Sequence, residues 1–149
     1  NDFAEVIKPG GKLMIVIPNI DSVQFALFQE KWFHLDPPRH IHFYPPPLLE
    51  KELQLRGFRL KYSKTFDIEQ NPFGAVQSML NKYVRKRDVL YEHLKGNTKY
   101  SETYSKSQML MMKLFWICIF PICVFSDLLF SIHKRGACIE MVFEKDDRK

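Results

Sequence analysis

The stretch that most constrains this chain is MLMMKLFWICIFPICVFSDLLFSI, Met109 to Ile132. Its uncharged part, Leu114 to Ser126, is thirteen residues long and is bracketed by Lys113 and Asp127. A spanning helix needs about 20 apolar residues, so the uncharged run by itself is too short to cross a bilayer. It is also apolar all round, through Phe115, Trp116, Ile117, Phe120, Ile122, Val124 and Phe125. A surface helix of a soluble domain keeps a polar face. Two solutions follow: a helix buried in a core, or an interfacial or re-entrant segment. The flanking Lys106, Lys113, His133, Lys134 and Arg135 favour the second, because basic flanks hold such a segment on an anionic leaflet. Pro121 is expected to break or kink the run near its middle, as in a hairpin.

The apolar segment lies between two strand patterns. Phe58 to Phe66 alternates, with Phe58, Leu60, Tyr62 and Phe66 against Arg59, Lys61, Ser63 and Thr65, and reads as a strand at or near a sheet edge. Ala137 to Lys145 alternates again, with Ile139, Met141 and Phe143 opposite Glu140 and Glu144, and reads as a closing strand. Near the start, Asp2 to Lys8 is a short amphipathic helix stopped by Pro9, Gly10 and Gly11. Leu13 to Ile17 is apolar without alternation, the pattern of a central parallel strand covered on both faces. Asn19 stands at its carboxyl end, where open α/β sheets place their ligand crevice. Ser22 to Trp32 has a helical pattern with Ser22 as cap, and Leu48 to Arg56 is a second helix opened by prolines and stopped by Gly57. EQNPFGAVQSMLNKY reads as a turn entering a helix with Asn71 as its cap. Lys95 to Ser107 is polar and reads as a loop.

Between the helices at Ser22 to Trp32 and Leu48 to Arg56 lies WFHLDPPRHIHFY, Trp32 to Tyr44, with three histidines, an arginine and an aspartate. Three readings compete. His34, Asp36, His40 and His42 are metal-type donors, but their spacing matches no closed site, so no metal is assigned. A packed turn would use Trp32, Phe33 and Phe43 as anchors, Pro37 and Pro38 as stiffeners, and a local Asp36–Arg39 pair. A pocket wall would place His40 or His42 to take a proton from an acceptor, since imidazole titrates near neutral pH. Arg39 would then hold an acidic or phosphate group, and Asn19, Trp32, His34 and Tyr44 would line the substrate.

The chain has 149 residues, a net charge of +5 and a pI near 9.1, which favours an anionic surface as partner. The densest basic run, Lys82 to Arg87, is short enough to be a solvated helix face, so nucleic acid is not assigned. Cys118, Cys123 and Cys138 sit in apolar surroundings without metal spacing and read as buried thiols of a reducing compartment, the cytoplasm.

IKPGGKLMIVIPN, WFHLDPPRHIHFYPPPLLEKELQLRGF, EQNPFGAVQSMLN and GACIEMVFEK together resemble the carboxyl-terminal half of a class I S-adenosylmethionine-dependent methyltransferase. The first piece is similar to that family's helix, Pro-Gly-Gly turn and fifth strand. The resemblance implies an α/β fold: part of a Rossmann-like sheet, the substrate-side half, with an apolar helical insertion before the last strand. Residues 1–66 and 137–145 would supply the sheet and its flanking helices, and 67–136 the insertion. It implies methyl transfer to a small or lipid-like acceptor, with membrane contact through 109–132. The family's glycine-rich cofactor loop and ribose-binding acid have no counterpart here. The chain alone is therefore expected not to hold S-adenosylmethionine, and an N-terminal half of the same domain is the expected partner. A non-enzymatic, membrane-associated interaction module is the alternative.

Overall fold

The computed structural model describes residues 3–38 and 40–146. Among them, three strands form one antiparallel sheet in the order β1–β3–β2, with β1 at Lys12–Pro18, β2 at Phe58–Lys64 and β3 at Cys138–Lys145. The helices are α1 at Phe3–Val6, α2 at Val23–Phe28, α3 at Pro46–Leu55, α4 at Gln70–Asn81, α5 at Val89–Leu94 and α6 at Lys106–Ile132.

The strand read last is the middle of the sheet. β3 pairs with β1 from Lys12–Glu144 to Pro18–Cys138, and with β2 from Phe58–Lys145 to Lys64–Glu140. Its alternation does what the pattern requires. Ile139, Met141 and Phe143 are buried on one face with Leu53 of α3 and Phe58, and Ile7, Leu13, Ile15 and Ile17 pack around them. Glu140 and Glu144 point the other way and pair with Lys64 and Lys61 at 3.0 Å each. β2 is an edge strand, as its wet face predicts.

β1 departs from expectation. The apolar run predicts a parallel strand covered on both faces; it is instead an edge strand antiparallel to β3. Leu13, Ile15 and Ile17 face the core, while Met14 and Val16 on the opposite face are 62% and 53% exposed. The physical reason is supply: both helices packed on this sheet, α1 and α3, sit on the same face. No other strand among the described residues pairs with the free edge of β1.

Local signals are partly reassigned. Ser22 caps α2, its Oγ accepting from the Phe25 amide at 3.0 Å, but the helix ends at Phe28 and continues only as a 3-10 turn over Gln29–Lys31. Asn71 is not a cap. Asp67 Oδ1 accepts from the Glu69 and Gln70 amides at 2.9 and 2.8 Å, which leaves the Asn71 side chain free to turn inward. Lys95 to Ser107 holds a 3-10 turn at Thr98–Ser101 and then the Ser105–Gln108 capping box that opens α6. Lys82 to Arg87 is not a solvated helix face: Arg87 donates to the carbonyls of Glu30, Trp32 and Phe33 and pairs with Asp88. Cys123 and Cys138 are buried, but Cys118 is exposed.

α6 is the largest correction. Pro121 does not break it; one helix of 27 residues runs from Lys106 to Ile132. At 1.5 Å per residue that is about 40 Å, so by length and composition this helix is able to cross a membrane. Pro121 lies on the exposed side, as does Ile117, whose carbonyl loses its partner. Met109, Met112, Trp116, Ile119 and Cys123 form one seam that packs on Val76, Leu80 and the α5 residues Val89 and Leu90. Outside this seam Leu110, Leu114, Ile117, Ile122, Phe125 and Ile132 are 52–70% exposed. Only 11% of its most apolar window is buried, so it is not a core helix in this structure.

The sheet, α4 and α6 meet at Asn71, which is fully buried. Its Nδ2 donates to the Thr65 carbonyl at 2.7 Å and to Asp127 Oδ2 of α6 at 3.0 Å. Its Oδ1 accepts from the Cys138 amide at 2.9 Å, and its carbonyl accepts from Gln24 Nε2 at 2.8 Å. Truncation would strand buried partners on three elements, each costing about 1–3 kcal/mol. Asn71→Ala is expected to destabilise the protein by about 3 kcal/mol or more in urea unfolding, several times the effect of an exposed change such as Lys51→Ala.

Candidate functional site

The cavity at the carboxyl end of β1 is built by topology. β3 runs antiparallel to β1, so it must start where β1 stops, and Pro18 pairs with Cys138. The turn that carries the chain from α6 into β3, His133 to Arg135, is thereby brought beside Asn19 to Ser22. Asn19 fixes this arrangement. Its amide donates to the Ala137 carbonyl at 2.7 Å, and its Nδ2 donates to the carbonyls of Gly136 and Lys134 at 2.9 and 3.2 Å. The Val23 amide donates to the Arg135 carbonyl at 3.1 Å.

Between this turn, the start of α2 and the start of α3 lies an open cavity of about 650 Å³. Its walls carry Asp21, Glu50, His133, Lys134 and Arg135, and its floor is the apolar sheet face at Leu60, Ile139 and Met141. A cavity of this size with an apolar floor and a few polar groups is of the kind that holds a small molecule. Two cations, Lys134 and Arg135, stand with two acids, Asp21 and Glu50, and with the imidazole of His133 on this wall.

The residues singled out in the sequence divide into two groups. Trp32 is fully buried, with its Nε1 donating to Gln24 Oε1 at 3.4 Å and its ring 5.3 Å from that of Phe25. His34 is buried beside it, rings 5.2 Å apart. His40, His42 and Tyr44 lie at the surface of the same loop, with the His40 amide held by the Asp36 carbonyl at 3.1 Å and its ring 6.4 Å from that of Phe43. Of the whole set, Asn19 lines the cavity. Arg39, and with it the Asp36–Arg39 pair and the anion contact, lies outside the described residues. No group of three or more metal-type donors converges among the described residues.

The sequence reading missed His133, Lys134 and Arg135 as cavity residues and saw in them only the flank of an apolar run. The signal was present in the strand pattern, because any antiparallel pairing of the last strand with the first returns this turn to Asn19.

Three buried ionisable groups, His34, Asp127 and Cys138, face the interior. His34 packs against Gly74, where an added Cβ would stand 2.5 Å from its Nε2, and that nitrogen has no hydrogen-bond partner among the described residues. Burial, helped by the charge of His40 and opposed by Asp67, lowers its pKa to about 4, so it is neutral at physiological pH. Burial raises the Asp127 carboxyl to about 6, although Asn71 opposes the shift. Burial also lifts the Cys138 thiol to about 12, so it is no nucleophile.

No protein-family model, no curated protein and no solved structure matches this chain.

The His34 and Asp127 shifts act oppositely on stability. His34 binds its proton more readily when unfolded, so its contribution is lost as pH falls from about 6.5 toward 4. Asp127 binds its proton more readily when folded, so its contribution is lost as pH rises from about 4 toward 6. The wild-type curve is expected to be nearly flat in this window. Asp127→Asn removes one arm, and stability measured by chemical denaturation should then climb from pH 4 to 6.5 by up to about 3 kcal/mol relative to wild type. An unchanged or falling curve would refute the opposition.

Proposed function

We propose that this chain is the substrate-side half of a class I S-adenosylmethionine-dependent methyltransferase that works at a membrane surface on a small or lipid-like acceptor. The observation that carries the reading is the cavity at the carboxyl end of β1, bordered by segments that resemble the family: the strand after the Pro-Gly-Gly turn and the closing strand. The free edge of β1 and the exposed Met14, Val16 and Tyr62 on one sheet face support it. Such an edge and face accept further strands and helices. An N-terminal half would supply them together with the cofactor loop. Methyl transfer from a sulfonium to an oxygen, nitrogen or carbon nucleophile asks mainly for alignment of the two partners. One base suffices where the acceptor carries a proton, and His133, which lines the cavity, would serve.

The membrane part rests on α6. Its exposed apolar face also favours the second reading, a membrane-associated interaction module without methyl transfer. In both, the helix lies on the bilayer rather than across it. β2 and β3 are hydrogen-bonded neighbours, so the chain between them must return to the side it left. α4, against which α6 packs, is 12 residues or about 18 Å long, and its Asn71, Gln77, Ser78 and Asn81 are buried polar residues. It is too short and too polar to serve as the return crossing.

Two measurements test these statements. Isothermal titration of the chain alone with S-adenosylmethionine is expected to show no appreciable binding. The product of the same coding sequence extended upstream of Asn1 should bind it and transfer labelled methyl groups to a membrane extract. Low-micromolar binding by the chain alone, or no transfer by an extended product that folds, would sink the methyltransferase reading. For the helix, single cysteines at Ser107 and Lys134 in a background with Cys118 replaced should react with an impermeant maleimide from the same side of sealed vesicles; labelling from opposite sides would defeat the in-plane arrangement.

A further inference from the structure

Beside the amino-terminal third of α6 lies a second, larger groove of about 850 Å³, remote from the β1 cavity. Its apolar wall is Met111, Met112 and Phe115 of α6 with Leu80 of α4, and its rim is Tyr83, Arg85 and Lys86 in the turn after α4. We propose that this groove binds one anionic phospholipid drawn from the leaflet on which α6 lies, with an acyl chain along Met111 and Phe115 and the phosphate at Arg85 and Lys86. The site rests on the membrane reading of α6.

Four observations carry it. The groove is continuous with the exposed face of α6, since Met111 and Phe115 line it and are themselves 69% and 37% exposed. A chain lying on the bilayer would therefore open this groove to lipid. The charge is one-sided: two cations stand at the rim and no aspartate or glutamate lines the groove. Lys86 is held in place, its amide donating to the Tyr104 hydroxyl at 2.9 Å and its Nζ standing 3.8 Å from the centre of the Tyr100 ring. Tyr83 at the rim is 87% exposed and so can sit at headgroup level, where tyrosine is enriched. An apolar wall with cations at one rim matches an amphiphile with an anionic head, and it does not match a zwitterionic one equally well.

The experiment uses the whole chain with vesicles of phosphatidylcholine alone or mixed equally with phosphatidylglycerol. Each carries a trace of its own lipid bearing a photoreactive diazirine on the acyl chain, and labelled peptides are mapped by mass spectrometry. The phosphatidylglycerol probe should concentrate on residues 80–86 and 111–115, while the phosphatidylcholine probe should spread along the exposed face of 117–132. Arg85→Glu with Lys86→Glu should cut groove labelling by phosphatidylglycerol at least about 30-fold, the loss of two surface cations. The matched reversal Lys106→Glu with Lys134→Glu should leave the distribution between groove and helix face unchanged. Circular dichroism confirms that each variant is folded. Binding to both vesicles with identical labelling maps overturns the site and leaves the membrane reading intact. Equal loss from both double variants overturns it as well, because general surface charge would then explain the preference. Failure to bind either vesicle overturns the membrane reading and the site with it.

Discussion

The fold depends on a single buried amide. Asn71 holds the end of β2 through the Thr65 carbonyl, the start of β3 through the Cys138 amide, α6 through Asp127 and α2 through Gln24. These segments are far apart in sequence, and none of the three hydrophobic clusters joins all of them. One cluster lies between the sheet, α1 and α3, another between α4, α5 and α6, and the third around Trp32. Apolar contact is non-directional and tolerates sliding, whereas a side-chain amide with three partners and a backbone carbonyl with a fourth, all in a dry interior, fix one relative placement. The neighbouring clamps repeat the logic: Arg87 holds the carbonyls of residues 30, 32 and 33, and Asn19 holds those of 134 and 136.

What could be read from the sequence follows from which interactions are local. The alternation of residues 58–64 and 138–145 is a local consequence of burying one face, and both strands appear where the pattern puts them, except that a bulge between Leu60 and Tyr62 turns Tyr62 to the exposed face and Ser63 to the cavity. The Ser22 cap is likewise local. Partnership is not. The apolar run of β1 shows that both its faces want cover, but nothing in it says that its neighbour is the last strand or that one face stays bare in this chain. Asn71 shows the same limit, because an Asn before a Pro at a helix start satisfies the local rule for a cap, and only the tertiary fold turns it inward. Pro121 is a third case: the proline predicts a break, yet the helix continues because the freed carbonyl lies on the exposed side.

The candidate site was half legible for the same reason. A strand's carboxyl end is a local feature, and Asn19 lines the cavity found there. The histidine-rich loop drew attention through composition alone, and its members separate into buried packing partners, Trp32 and His34, and surface residues, His40, His42 and Tyr44. Composition cannot distinguish them, since a histidine stacked on a tryptophan and one on a loop surface look alike in a string. The basic cavity wall comes from a turn whose position is set by a pairing that spans the chain.

The central place of β3 has a consequence for how the molecule comes into being. On a ribosome, β1 and β2 emerge long before the strand that joins them, and neither touches the other without it. Pairing Lys12 with Glu144 closes nearly the whole chain, a slow step because loop closure must precede any reward from contact. Until then α6 is already synthesised, with its apolar surface outside the seam toward α4 and α5 uncovered. A nascent chain in that condition is exposed to aggregation, and early capture of α6 by a lipid surface or a chaperone would shelter it while the sheet waits for its middle strand. The helix would then act as an assembly aid during synthesis, before any role in the finished protein.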